Sequence, residues 1–240
     1  TLLLIDGNSI LNRAFYGIRP LTNSEGLYTH AVYGMMNIVL KHLGERKPDY
    51  AAVAFDLKAP TFRHGMYNGY KATRKGMPEE LAVQLPYAKK CMTALGLREI
   101  ELAGYEADDI LGTCAAMGEA DGGTVTYILT GDRDSFQLIR DDVTVLLAST
   151  GETSEFDRDR FRQKYGVEPE QFVDVKALMG DTSDNIPGVP GVGEKTALRL
   201  ISQFGSLDGV YGNTGTGAIA GAADRKLIAG KDSAYLSQAL

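Results

Sequence analysis

The chain has 240 residues, 44% of them hydrophobic, with 25 basic and 31 acidic side chains and a formal net charge of −6. That length carries one large domain, or one domain with a smaller module, and the apolar content excludes disorder as the default state. Two cysteines (Cys91, Cys114) cannot build a disulfide framework, and no apolar run is long enough to cross a bilayer, so a cytoplasmic protein with no membrane partner is expected.

Leu2 to Ile5 is a continuous apolar run ending at Asp6-Gly7. It reads as a strand buried on both faces, as in a parallel sheet. Ala31 to Leu43 has helical spacing, and Ala51 to Phe55 is a second buried strand that ends at Asp56. Pro78-Glu-Glu opens a helix reaching about Leu95, and Ala107 to Met117 forms another. Thr124 to Leu129 is a third strand, running into Gly131-Asp132, and Asp142 to Ala148 a fourth. Strands alternating with helices predict an α/β fold with a mainly parallel sheet. From about Phe172 the pattern is helical and glycine-rich, which predicts an α/β domain over 1–171 and a helical module over 172–240. The first residue is not Met and Lys231 to Leu240 resembles an unfinished helix, so a piece of a longer polypeptide is expected. Gly212 to Ala223 is rich in Gly and Ala. Its formal match to a dinucleotide fingerprint at 215–220 fails because no strand leads into it, and a flexible connector is expected.

Three of these strands finish on an acid, and in open parallel sheets the ligand site lies beyond the carboxyl ends of the strands. Asp6, Asp56 and Asp132 are thereby drawn towards one place. Glu106, Asp108 and Asp109 open a helix; on an ideal helix Glu106 and Asp109 share a face and Asp108 points away. Asp134 follows Asp132 by two residues, so both side chains point one way if extended, or Asp134 caps a short helix near Ser135. Asp181 and Asp184, three apart, would share a helical face. Singly, each acid has an ordinary explanation as a turn, a helix start or a solvated end; together they make a site for hard cations, Mg²⁺ or Mn²⁺. His30, His42 and His64 are not paired at ligand spacing.

Between Lys58 and Pro78 there are five basic residues (Lys58, Arg63, Lys71, Arg74, Lys75) and no acid, interleaved with Phe62, Tyr67 and Tyr70. Positive charge with stacking rings suits a single-stranded nucleic acid, against a solvated loop as the plain alternative. Ile186 to Thr196 carries Pro187-Gly188 and Pro190-Gly191-Val192-Gly193. This predicts a tight hairpin with a helix starting at about Glu194, whose N–H groups can hold a phosphate with charge added by Lys195, against an ordinary helix-loop-helix corner as the plain alternative.

On the motifs Leu4-Ile-Asp-Gly-Asn-Ser9, Ala54-Phe-Asp56, Tyr70-Lys-Ala-Thr-Arg74, Gly104-Tyr-Glu-Ala-Asp-Asp109, Thr130-Gly-Asp-Arg-Asp134 and Gly180-Asp-Thr-Ser-Asp-Asn-Ile-Pro-Gly188, the chain resembles the N-terminal 5′→3′ exonuclease domains of bacterial DNA polymerase I, within the flap-endonuclease family. The resemblance covers nearly the whole chain and implies a PIN-like 5′ nuclease fold with a helix-three-turn-helix module. The family's metal ligands match Asp6, Asp56, Glu106, Asp108, Asp109, Asp132, Asp134, Asp181 and Asp184. Its basic residues near the scissile phosphate match Lys71 and Arg74, beside Tyr70, and its duplex-gripping hairpin, which in some members holds K⁺, matches Gly188 to Thr196. It also implies an arch, here about 58–90, that passes a 5′ single strand and includes Arg63. Gly212 to Ala223 departs from the family, where the stretch is more charged.

The expected activity is two-metal hydrolysis of DNA phosphodiesters at 5′ flaps, nicks and single-stranded 5′ ends, and of RNA primers on DNA, at the nucleoid and beside a polymerase domain in the same polypeptide. One ion is expected on Asp6, Asp56, Glu106 and Asp108, the other on Asp132, Asp134, Asp181 and Asp184, with Asp109 in the outer shell or bridging through water. Lys71 and Arg74 would neutralise the phosphate and Tyr70 would stack on an unpaired base. The rival readings are a non-catalytic structure-specific DNA binder and a phosphatase with Asp6 as nucleophile.

Overall fold

The computed structural model describes residues 1–120 and 122–240. In chain order the elements are β1 (Leu2–Asp6), α1 (Gly7–Gly17), α2 (His30–Arg46), β2 (Tyr50–Ala54), α3 (Phe62–Met66), α4 (Glu79–Ala82), α5 (Leu85–Ala94), β3 (Arg98–Ile100), α6 (Ala107–Ala120), β4 (Thr126–Thr130), β5 (Val143–Ala148) and β6 (Thr153–Phe156). The helices α7 (Arg158–Tyr165), α8 (Phe172–Met179), α9 (Glu194–Phe204), α10 (Leu207–Gly212), α11 (Gly221–Ala229) and α12 (Lys231–Ala239) follow. The chain divides into two compact units, Thr1–Thr61 with Gly76–Asp157, and Phe62–Lys75 with Arg158–Leu240. The division expected at residue 171 therefore falls at 157, because Phe161 of α7 packs edge-on against Phe172 of α8, 5.5 Å between ring centroids. The stretch expected as one arch over 58–90 is shared out, with 62–75 going to the second unit.

In the first unit six strands form one sheet in the order β3-β2-β1-β4-β5-β6. Every pairing is parallel except β5 with β6. β1 is central because its Leu-Leu-Leu-Ile run has no polar face to offer water, and Leu3, Leu4 and Ile5 are buried. The expected parallel α/β architecture is thus present. In this unit α1, whose Gly-Asn-Ser start imitates a turn, and β3 and β6, which are short and carry charge, escape the sequence pattern.

Helices α1 and α2 pack closely, and Gly34 permits it: a Cβ there would lie 2.5 Å from Ile18 Cδ1 and 2.8 Å from Ala14 Cβ. The start of α2 has no side-chain cap of its own. Buried Gln84 supplies one from a distance, its Oε1 accepting from the Ala31 N–H at 2.8 Å while its Nε2 donates to the Glu80 carbonyl at 2.7 Å. One side chain thereby anchors the α4–α5 segment to α2.

The second unit is helical beyond residue 157, around α8, from which Phe172, Val175, Ala177 and Leu178 are buried. Asp174 on α8 accepts from the Leu207 N–H at 3.0 Å, satisfying the start of α10, and from Gln238 Nε2 of α12 at 2.5 Å. The Gly/Ala-rich stretch is no open connector. Ile219 is buried, and α11 begins within the stretch at Gly221.

Candidate metal and nucleic-acid site

In the first unit the acids gather where β1, β2 and β4 end. Asp6, the last residue of β1, caps α1: its Oδ1 accepts from the Ser9 N–H at 2.9 Å. Its Oδ2 accepts from the Thr130 hydroxyl at 2.9 Å, and that hydroxyl accepts from the Asp132 N–H at 3.0 Å. Gly131 is held from both sides, its N–H donating to Ser9 Oγ at 2.9 Å and its carbonyl accepting from Arg13 Nη2 at 3.0 Å. Asp56 lies two residues past β2 and accepts from the Ala107 N–H at 2.7 Å, at the positive end of α6. Asn8 Oδ1 accepts from the Asp56 N–H at 3.0 Å.

Glu106 and Asp109 do meet, the Glu106 N–H donating to Asp109 Oδ2 at 2.9 Å. Asp108, which spacing turns away from them, feels the charge of Asp6, Asp132, Asp134 and Asp56. Asp132 is extended (φ −105°, ψ 131°), but Asp134 is not. They open a 3₁₀ turn over Arg133–Leu138, and the cap is Asp132 rather than Asp134, accepting from the Asp134 N–H at 3.0 Å.

Burial pushes Asp6 up to about 7, with Ser9 and Thr130 pulling back and the charges of Asp56 and Asp132 adding to the rise. Burial likewise lifts Asp108 well above the carboxylate range, helped by Asp6 and Asp132. Among the described residues no group of three or more His, Cys, Asp or Glu side chains is arranged by itself to hold an ion. The chemistry of the donors nevertheless fits a hard divalent cation. They are all oxygens, and their mutual repulsion in a buried setting is what such a cation relieves.

In the second unit Asp181 and Asp184 sit on a tight turn, not on a helix face as expected. The turn is closed by hydrogen bonds between Asp181 and Ile186, N–H to carbonyl, at 2.9 and 2.7 Å. Burial opposes ionisation of Asp181. Lys176 at 2.5 Å and the Ser183 hydroxyl and N–H, each at 2.7 Å, overcome it and hold the carboxyl at about 2. Buried Asp184 pairs with Arg74 and lies 3.9 Å from Lys71 Nζ. Tyr70, expected to stack on a base, is instead buried at 4% exposure with His64 edge-on to its ring. Arg63 donates to the Leu240 carbonyl and stacks on half-exposed Phe62.

The hairpin also divides in its roles. Gly188 is a packing residue: it is buried, its N–H donates to Ser237 Oγ at 2.9 Å, and its carbonyl accepts from Ser233 Oγ at 2.7 Å. It has a φ of +57°, and a Cβ there would stand 2.3 Å from the Gly180 nitrogen. Gly188→Ala is expected to destabilise the second unit by about 3 kcal/mol or more, read as a lowered denaturant midpoint. Gly191 has a φ of +78° and its carbonyl accepts from Lys226 Nζ at 3.0 Å. Gly193 is the N-cap of α9, with no side-chain cap and open space where a Cβ would be. Lys195 is exposed and Thr196 half-buried in the first turn. Gly193, Lys195 and the start of α9 thus keep a geometry fit for a phosphate.

The sequence motifs contain Asn8, Ser9, Thr130, Ser183 and Asn185, but spacing alone assigns them no part. Their contribution comes through hydrogen bonds that only the folded chain defines.

Comparison with known proteins identifies the family and the fold. Residues 1–166 match the model of the 5′-3′ exonuclease N-terminal resolvase-like domain, and residues 167–240 that of the 5′-3′ exonuclease C-terminal SAM fold. The DNA polymerase I of Caldicellulosiruptor bescii is 44% identical, across 100% of this chain and 28% of that protein. That of Bacillus subtilis is 46% identical, across 86% of this chain and 24% of that protein. The chain thus spans about a quarter of the length of these relatives. A T5 5′-exonuclease with zinc bound superposes with a TM-score of 0.77 at 21% identity, over 99% of this chain and 87% of that one. The catalytic core of Rad2 in complex with DNA substrate gives 0.61 at 15%, over 99% and 76%. These two share the fold. With both family models matched end to end across buried acids and a helical module, the chain belongs to the 5′-3′ exonuclease family.

Proposed function

We propose that the chain is a metal-dependent, structure-specific 5′→3′ exonuclease and flap endonuclease that hydrolyses DNA phosphodiester bonds. The observation that carries this reading is the meeting of Asp6, Asp56, Asp108, Asp132 and Asp134 in one electrostatically coupled, partly buried cluster beyond the sheet. Mg²⁺ or Mn²⁺ bound there would supply Lewis acidity towards the phosphate and lower the pKa of water. Asp6, Asp56 and Asp108 present oxygens to such a cation, and the Asp132 cap holds the 3₁₀ turn so that Asp134 is offered beside it. Glu106, Asp109, Asp181 and Asp184 complete the proposed ligand set on the strength of the sequence motifs. Arg74 binds a carboxylate in this structure and would exchange it for the phosphate, with Lys71 alongside. The start of α9 would hold a duplex phosphate and K⁺ would sit at that hairpin.

The substrates proposed are DNA carrying a 5′ flap, a nick or a single-stranded 5′ end, and RNA primers on DNA. A polymerase domain in the same polypeptide is proposed from the relatives, and a place at the nucleoid from the proposed DNA substrate. No helix among the described residues is long and apolar enough to cross a membrane. The test is a 5′-labelled flap beside a small phosphomonoester, each with Mg²⁺ and with chelator. Release of short 5′ fragments only with Mg²⁺ is expected. Mg²⁺-independent binding without cleavage, or cleavage of the monoester alone, would replace the reading.

A further inference from the structure

The turn that carries Asp181 and Asp184 also grips the basic segment, in part through Asn185, which has no role in the chemistry proposed above. The Lys71 N–H donates to the Asp184 carbonyl at 2.8 Å. One residue on, Asn185 Nδ2 donates to the Gly69 carbonyl at 2.7 Å. These two bonds run in opposite directions between 69–71 and 184–185, so they fix register as well as distance. Both strands of the clasp are bent to make it: Lys71 has a φ of +55° and Asn185 a φ of +56°. Asn tolerates that left-handed conformation, whereas Lys has no side-chain means of easing it. A left-handed lysine persists only where its surroundings over-determine it. Here the surroundings are the Asp184 carbonyl on its N–H and the Arg74 N–H donating to its own carbonyl at 3.0 Å.

We propose that Asn185 is a positioning residue: its amide clasps the Gly69 carbonyl and so sets Lys71 and Arg74 for the scissile phosphate. This rests on the nuclease reading, in which those two side chains meet the phosphate. A guanidinium displaced by about an ångström loses much of its worth in the transition state while substrate binding elsewhere is kept. The plain alternative is that Asn185 serves only the turn, which needs a residue able to adopt positive φ.

Asn185→Gly separates the two. Glycine keeps the left-handed backbone and removes only the amide. The expected result is a fall in kcat on the order of tenfold or more on a 5′-flap substrate, with KM within about twofold, and a melting temperature close to the parent's. In a Lys71→Ala/Arg74→Ala background the same change should add nothing, because the residues it acts through are gone. Native-state trypsin cleavage after Arg74 should be faster than in the parent, with or without Mg²⁺. Asn185→Asp, which turns an oxygen towards the Gly69 carbonyl, should behave as Asn185→Gly does. A parental kcat in Asn185→Gly, an equal further loss in the double-alanine background, or unchanged trypsin cleavage overturns the inference and leaves the nuclease reading standing. A parent chain that does not cut the flap removes both.

Discussion

Asp108→Asn is expected to make the metal-free protein more heat-stable and to abolish its nuclease activity. Asp108 is lifted by burial and by the carboxylates of Asp6 and Asp132, so its ionisation works against the fold. Asn keeps the shape and removes the charge. Asp6 shows the sign of the effect. Its carboxyl sits at about 7 in the folded chain against 3.8 unfolded, so the folded state holds the extra proton. The associated stability is present below about 3.8 and is lost as the pH rises to about 7. At pH 7.5 the metal-free parent should therefore melt lower than Asp108→Asn, by about 2–4 °C for each kcal/mol of repulsion relieved in a chain of this size. At pH 5 the two should draw together. Mg²⁺ should raise the parent's melting temperature at pH 7.5 and raise the variant's far less, since a bound cation removes the repulsion that the variant has already lost. Differential scanning calorimetry at the two pH values, with and without Mg²⁺, reads all of this. A variant that melts below the parent at pH 7.5 would mean that Asp108 is held for packing or hydrogen bonding.

Asp132→Asn is expected to remove turnover, by about a thousandfold or more, while DNA binding stays close to parental. The distinction comes from the two duties of this residue. As a cap it accepts from the Asp134 N–H, which an amide oxygen does as well, so the 3₁₀ turn persists. As a charge it faces Asp6 and Asp108, and an amide oxygen is a poor donor to a divalent cation beside them. Single-turnover cleavage of a labelled flap, set beside fluorescence anisotropy of the same DNA, separates the two. Cutting at the parental rate would take Asp132 out of the ligand set.

The central strand and its terminal acid are plain in the sequence because four apolar residues in a row admit few environments, and Asp6 has to lie where they stop. The α/β order follows in the same way. What spacing cannot give is the direction of a side chain where a local hydrogen bond competes with regular geometry. Asp181 and Asp184 read as helical neighbours, but Ser183 and Lys176 draw the Asp181 carboxylate into a turn. Asp134 reads as a cap, but Asp132 reaches the N–H first. Tyr70 has the composition of a stacking residue, and its burial is decided by tertiary packing. Gln84 is the extreme case, since its partner N–H lies 53 residues away and nothing nearby in the chain marks it.

The two margins of the sheet bear on how the protein behaves in concentrated solution. One margin is β3, only three residues long and carrying Arg98 and Glu99; the other is β6, four residues turned antiparallel, with Glu155 paired to Arg46. A stray extended segment finds too few consecutive open amides at either side, and meets charge where it would need apolar contact. Accretion of further strands, and the fibrous assembly that follows from it, is thereby discouraged at both ends of a sheet whose middle is nearly pure hydrocarbon.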